Sequence, residues 1–182
     1  MDRGLVELAR QGDRDAFARL VPIIGDRLFA TAYRILRDFD AAGDAYQSAL
    51  VSIWRELPML RDADRFEAWS SRVLIRHCYA ELRRRRRQPL ASVLMSSDEP
   101  SADETISVSL RDQLERAFVR LTSEQRTVLV LMYYRDLSVA EIASQLGIST
   151  GTVKSRLHYA RDALRGAVEA DARTPIQEGR PA

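Results

Sequence analysis

Apolar residues recur at three- and four-residue spacing along most of the chain, and this pattern predicts helices. In the first half, such runs extend from Phe17 to Ala32, from Leu50 to Leu57 and from Phe66 to Ala80. Because an α-helix repeats about every 3.6 residues, each run places its apolar side chains on one face. Pro22 predicts a kink or a late helix start in the first run, and Pro58 predicts the end of the second.

The second half continues the helical spacing and adds polar residues that mark helix starts. Four apolar residues predict one helix: Leu110, Leu114, Phe118 and Leu121. Thr122 and Gln125 then fit a capping box that opens another helix. The run TVLVLMYY that follows has strand propensity, but the cap before it and the absence of a partner strand favour a helix.

Two further helices form a helix-turn-helix pattern. Ser138 and Glu141 fit a second capping box, and Gly147 suits the left-handed residue that ends a helix. Ser149 can cap the next helix, which we expect to extend to about Val168. In this motif the second helix lies in the major groove of duplex DNA.

The second helix of this motif exposes side chains that can bind DNA: Thr152, Lys154, Ser155, Arg156, His158, Tyr159 and Arg161. Its first two turns point into the groove, so Thr152, Lys154, Ser155 and Arg156 are the candidates for base contacts. Arg161 is a candidate for phosphate contact. The alternative, an amphipathic hairpin with a solvated basic face, is disfavoured because caps, turn and exposed chemistry agree.

Composition changes abruptly after Gln88. Residues 89–107 contain prolines, serines and acidic residues without any basic residue, and they show no sustained period. So long an irregular stretch is unusual within one compact domain. The sequence therefore predicts an all-α protein with two small helical domains, residues 1–88 and 108–170. A flexible acidic linker joins them, and a disordered tail follows from residue 171 to residue 182.

The charge and motif content excludes several functions. Of the 28 basic residues only one is lysine, and five consecutive arginines stand at 83–87, which suggests contact with a polyanion. The single cysteine, Cys78, rules out an internal disulfide and is expected to be unreactive. No metal, cofactor or enzyme motif is found. Without a secretory signal or a long apolar run, we expect a cytoplasmic protein with no membrane insertion.

The motifs occur in an order that resembles the extracytoplasmic-function (group 4) sigma factors of the sigma-70 superfamily. The stretch from LTSEQRTVLVLMYY to AEIASQLGISTGTVKSRLHYARDAL resembles the family's −35-reading domain. DAYQSALVSIW is similar to its core-polymerase-binding helix, and FEAWSSRVLIRHCYAELRRRRR to its −10-reading helix. The resemblance implies a dissociable, non-catalytic subunit that binds RNA polymerase core and promoter DNA, with an anti-sigma factor as regulator.

The resemblance also implies roles for individual residues. Core polymerase would bind Asp44, Gln47, Ser48 and Trp54. The single-stranded −10 element would bind Leu60, Arg61, Arg65, Arg72, Arg76, His77, Arg83 and Arg84. A captured base must leave its stack and enter a shaped pocket, while basic residues hold the strand phosphates. By their apolar position alone, Trp54 and Trp69 are expected to be core residues.

Some positions depart from the family pattern. Gly43 and Ser48 stand where carboxylates are usual, which bears on polymerase docking, and His77 and Glu81 replace the usual Asn and Asp of the −10 helix. Two other interpretations remain open. A conventional helix-turn-helix regulator would need a receiver or ligand-binding half with alternating strands and helices. A sigma mimic would titrate an anti-sigma factor and start no transcription.

Overall fold

The computed structural model describes residues 2–87 and 107–172, and within these ranges every regular element is a helix. Backbone contacts divide the chain into two compact units, Met1–Ser96 and Ser97–Ala182. The all-α prediction is therefore confirmed. The predicted linker and tail lie outside the described residues, except that Ser107 and residues 171–172 belong to helices. The exact domain limits at 88 and 108 stay a prediction.

The first unit consists of four helices: α1 (Arg3–Arg10), α2 (Arg14–Leu36), α3 (Phe39–Glu56) and α4 (Phe66–Arg87). Aspartates open the first three, since Asp2, Asp13 and Asp38 each accept a backbone N–H of the first turn. Residues 57–65, the α3–α4 connection, contain two 3₁₀ turns, Leu57–Met59 and Ala63–Arg65. As Pro58 predicted, α3 ends just before it.

Pro22 lies inside α2 instead of delaying its start, so the prediction of a late start is wrong. The helix begins at Arg14, and its buried face continues on both sides of the proline through Leu20, Ile24 and Leu28. Helices in proteins draw most of their stability from such packing, which here outweighs one missing backbone hydrogen bond.

The buried face of α4 differs from the predicted apolar stripe. Ala80 is exposed, whereas Ser70, Cys78 and Glu81 are buried beside the apolar residues. The serine is tolerated because its hydroxyl donates to the carbonyl of Glu67 at 3.1 Å. Burial raises the pKa of the Cys78 thiol to about 12, which keeps it protonated and unreactive, as predicted.

The second unit consists of α5 (Ser107–Arg120), α6 (Ser123–Leu129), α7 (Val139–Leu146) and α8 (Thr150–Ala172). Both predicted capping boxes are present, at Thr122 with Gln125 and at Ser138 with Glu141. The strand-like run is helical, as predicted, but it leaves the α-helix at Leu129 and continues as a π turn, Val130–Tyr134. Leu114, one of the apolar residues that predict α5, is 45% exposed, whereas Ala117 of the same helix is buried.

Gly147 provides a test of this unit's turn. Its φ of 66° is left-handed, and a Cβ there would meet no atom within 4 Å, so the backbone alone penalises a side chain. We expect Gly147→Ala to lower the free energy of unfolding of the second unit by about 1–2 kcal/mol. Urea denaturation followed by circular dichroism measures this.

Gly166→Ala in α8 is the matched control. A Cβ at Gly166 meets nothing within 4 Å and the residue is helical, so this change should stabilise by about 0.5–1 kcal/mol. Both tryptophans, Trp54 and Trp69, lie in the first unit, so their fluorescence should report unchanged unfolding there. Equal effects of the two substitutions would contradict the assignment of the left-handed turn.

Candidate nucleic-acid interface

The helix-turn-helix presents α8 outward. Ile142 of α7 and Val153 and Leu157 of α8 are buried, and Ala143 is 6% exposed, so its small side chain allows the two helices to pack closely. Ser149 accepts the backbone N–H of Thr152 at 3.0 Å and caps α8, as predicted. The buried side chains fix the rotation of α8, which leaves its polar face in solvent.

The predicted base-contacting residues of α8 differ in how far they are already engaged. The hydroxyls of Thr152 and Ser149 share a hydrogen bond of 2.9 Å, and the Ser155 hydroxyl donates to the Gly151 carbonyl at 3.0 Å. Lys154 and Arg156 form no hydrogen bond or ion pair with the described residues, and Lys154 is exposed. These two cations are the ones whose charge is left for an anionic partner.

Further along α8, the charged side chains are bound within the protein. The Arg161 guanidinium donates to the hydroxyl of Tyr133 at 3.0 Å. Its central carbon lies over the Tyr133 ring, 5.7 Å from the ring centroid. His158 lies 3.3 Å from Asp162, which also pairs with Arg165 at 3.7 Å. Tyr159 is 63% exposed. Tyr133 was missed by sequence analysis because its contact with Arg161 spans 28 residues.

In the first unit, α4 bears a row of exposed arginines. Arg72, Arg76 and Arg83 lie on one face, because spacings of four and seven residues return to the same side of a helix. The row extends over about 16 Å. Arg76 pairs with Glu56 of α3 at 2.6 Å, whereas Arg72 and Arg83 have no ion pair with the described residues.

The α3–α4 connection presents one unpaired cation. Arg61 is exposed and has no partner among the described residues, while Arg65 lies 3.5 Å from Asp62. Leu60 is only 8% exposed, and its carbonyl accepts a hydrogen bond from Arg10. Its side chain therefore anchors the connection and does not face solvent.

His77 is held by a neighbour that sequence analysis missed. Its Nε2 lies 2.9 Å from the hydroxyl of Ser52 in α3. Burial lowers the pKa of His77 below its usual value, and the charge of Arg76 lowers it further, so the ring is neutral at neutral pH. In a neutral ring one nitrogen donates and the other accepts, and because Nε2 is bound to Ser52, Nδ1 is the nitrogen that can contact a base edge.

Glu81 is the centre of an ion-pair network at the end of α4. Its carboxylate accepts two hydrogen bonds from Arg84, at 2.8 and 2.9 Å, and one from Arg85 at 3.0 Å. Arg85 also pairs at 2.9 Å with Asp38, the residue that caps α3. The hydrogen bonds from Arg84 and then Arg85 lower the pKa of Glu81 despite its burial. Arg84 is thus paired before any DNA is bound.

The predicted polymerase-binding residues of α3 divide into two groups. Asp44, Gln47 and Ser48 are exposed, and their spacing of three and four residues places them on one side of the helix. Trp54 is half-buried and packs on Phe17 of α2, with ring centroids 4.9 Å apart. The tryptophan therefore joins two helices, in agreement with a core role.

Two negative findings concern the described residues. No group of three or more His, Cys, Asp or Glu side chains there could hold a metal ion. Within residues 2–87 and 107–172, no helix combines the length and apolar character needed to cross a membrane.

Comparison with known proteins finds one family region in each half of the chain. Sigma-70 region 2 matches residues 23–88, and Sigma-70, region 4 matches residues 117–166. The ECF RNA polymerase sigma factor SigM of Mycobacterium tuberculosis is 34% identical over 153 residues, covering 84% of this chain and 77% of SigM. SigW of Bacillus subtilis is 27% identical over 173 residues, covering 88% and 92%. The structure of CnrH in complex with the cytosolic domain of CnrY has a TM-score of 0.65 and 25% identity, covering 93% of this chain and 98% of that chain.

An arginine-bearing helical unit followed by a helix-turn-helix unit defines a two-domain DNA-binding protein. With both regions matched in order, the chain belongs to the extracytoplasmic-function sigma factors of the sigma-70 family. Such proteins are non-enzymatic promoter-recognition subunits of RNA polymerase. Because the chain belongs to this family, the alternative of a conventional helix-turn-helix regulator is rejected. The described residues also contain no strand, which the receiver or ligand-binding half of such a regulator would need.

Acidification tests the Glu81 network. The pKa of Glu81 lies below its ordinary value of 4.5 in the folded protein, so its ion pairs stabilise the fold above that pH. This contribution is lost as pH falls through the lowered pKa. We expect Glu81→Gln to lower the urea midpoint of tryptophan fluorescence at neutral pH, with the difference from wild type shrinking below pH 4.5.

Glu67→Gln is the control, because Glu67 lies on the same helix and pairs with Arg27 but is 44% exposed. Exposed pairs contribute little, so this variant should stay close to wild type at each pH. A constant difference between Glu81→Gln and wild type across the pH range would contradict the network's role.

Proposed function

We propose that three surfaces of this sigma factor carry out its three binding tasks. The exposed side of α3 with Asp44, Gln47 and Ser48 binds core polymerase. The α3–α4 connection and the arginine row of α4 bind the single-stranded −10 element, with His77 beside the captured base. The polar face of α8 reads the −35 duplex.

The distribution of unpaired cations supports the DNA-binding assignments. The candidate cations that form neither an ion pair nor a hydrogen bond with the described residues are Arg61, Arg72 and Arg83 in the first unit and Lys154 and Arg156 in the second. A cation binds phosphate at a lower cost when it need not first leave a carboxylate of the protein. Lys154 and Arg156 also stand in the first two turns of α8, the part of a recognition helix that approaches base edges.

The paired cations have a different role in this proposal. Arg84 and Arg76 exchange their carboxylate partners for phosphate only at the cost of breaking short ion pairs. Arg161, stacked on Tyr133, fixes the orientation of a phosphate-binding edge of α8. These residues shape the surface more than they add to its affinity.

A regulator is part of the proposal. The similar protein CnrH forms a complex with the cytosolic domain of CnrY. We infer that this chain binds a protein regulator, an anti-sigma factor, and that it acts in the cytoplasm, where core polymerase and promoters are found. Exposed apolar side chains that such a partner could cover include Phe39, at 65% exposure, and Val119, at 52%.

Transcription with purified components tests the function. The full chain, mixed with core polymerase and genomic promoter fragments, should yield discrete run-off transcripts that core alone does not make. Core binding without transcripts would reject promoter recognition, and neither core binding nor transcripts, combined with capture of an anti-sigma factor, would establish the mimic.

Arg156→Ala tests −35 recognition. If Arg156 makes a good base contact, holoenzyme carrying the variant should lose about 1–3 kcal/mol of preference for a promoter over the same promoter with its −35 element scrambled. Competition between the two templates measures this. Arg165→Ala is the control, since Arg165 is tied to Asp162 and should change the preference little. Unchanged preference in Arg156→Ala would reject the assignment.

A further inference from the structure

Helix α1 packs against the α3–α4 connection. Its side chains Leu5, Val6 and Ala9 are buried, and the helix contacts both 3₁₀ turns of the connection. The connection itself has few internal backbone bonds, of which Leu60 N–H to the Leu57 carbonyl, 3.0 Å, is one. Its shape therefore depends on what it packs against.

Arg10, the last residue of α1, makes the directed contact. Its Nη1 donates to the Leu60 carbonyl at 2.9 Å, and its Nη2 pairs with Glu7 at 2.9 Å. The Arg10 and Glu7 side chains are each 31% exposed, so water competes only partly for their hydrogen bonds. Arg3, by contrast, pairs with Asp64 at 3.1 Å with both side chains more than 60% exposed, a geometry that contributes little.

The Leu60 carbonyl lies at a sensitive point. Leu60 has extended backbone between the two turns, its side chain is buried, and the unpaired Arg61 follows it directly. A carbonyl held at this residue fixes the direction in which the chain continues to Arg61. The ion pair with Glu7 in turn holds the Arg10 guanidinium in place. The hydrogen bond to Leu60 therefore restrains the connection relative to α1.

We propose that Arg10 is a positioning residue for −10 recognition, which orders the α3–α4 connection through the Leu60 carbonyl before DNA binds. The inference rests on the proposed function of that connection. A loop already in its binding conformation loses less entropy when it captures a base, so the gain is in affinity for the single strand. Arg10 contacts no base and adds no sequence preference of its own.

Two substitutions at Arg10 distinguish a positioning role from a contribution of its positive charge. Arg10→Ala removes the contact, and Arg10→Lys keeps the charge but replaces the fork by one ammonium that cannot serve Leu60 and Glu7 in the same planar geometry. Arg3→Ala is the matched control, since it removes an equal charge from the same helix. Holoenzyme with each chain is titrated with a fluorescent single-stranded −10 oligonucleotide from a promoter found by run-off transcription.

We expect Arg10→Ala to bind the oligonucleotide about tenfold more weakly, Arg10→Lys to fall between it and wild type, and Arg3→Ala to match wild type. Core binding and −35 preference should not change. Amide hydrogen exchange in residues 60–65 of the free full chain should rise in Arg10→Ala and not in Arg3→Ala, a readout that needs no DNA.

Three results would overturn the inference. Equal oligonucleotide affinity and equal exchange in Arg10→Ala and wild type would show that the contact orders nothing. A lowered unfolding midpoint with parallel losses in core binding would show a general structural role. If wild-type holoenzyme does not distinguish the −10 oligonucleotide from a scrambled strand, the proposed function of the connection fails and this inference fails with it, whatever Arg10→Ala does.

Discussion

The end of α4 depends on one buried carboxylate. Arg83, Arg84 and Arg85 stand on consecutive residues at the end of α4, where a carboxylate one helical turn earlier can provide a counter-charge. Glu81, 8% exposed, supplies it by accepting from two of them, and Arg85 extends the network to Asp38 at the start of α3. The helix proposed to bind the −10 strand is thus joined by ion pairs to the helix proposed to bind polymerase.

This arrangement separates two uses of arginine. In the first unit, Arg84 and Arg85 bind carboxylates and hold helices together, whereas Arg72 and Arg83 have no such partner among the described residues. In the second unit, Arg161 binds Tyr133 while Arg156 has no partner there. Arginines of the same protein therefore differ in how readily they bind phosphate. An arginine that is paired with a carboxylate must first break that ion pair, which costs free energy, whereas an unpaired arginine need not.

Local interactions were the ones that could be predicted from the sequence. Capping boxes join residues three apart, and the left-handed Gly147 follows from a helix end, so all were visible in the sequence. Contacts between distant segments were not: Ser52 with His77, Asp38 with Arg85 and Arg10 with Leu60 depend on how helices pack. The buried face of α4 includes Ser70, whose hydroxyl donates to the Glu67 carbonyl, and a pattern of hydrophobic residues does not reveal this. Glu81 could have been found, since it precedes Arg84 and Arg85 by three and four residues.

The small number of unpaired cations among the proposed DNA-binding residues of each unit implies modest affinity from either unit alone. Each phosphate contact adds a salt-dependent increment, and Lys154 with Arg156 can supply only a small number of them. Specific promoter binding then requires both units to bind at once. The resulting gain in affinity depends on the distance between the two units. Polymerase core would secure that gain by holding the two units at the spacing of the two promoter elements. Weak separate contacts are therefore an advantage for a dissociable subunit, because DNA away from polymerase cannot retain it.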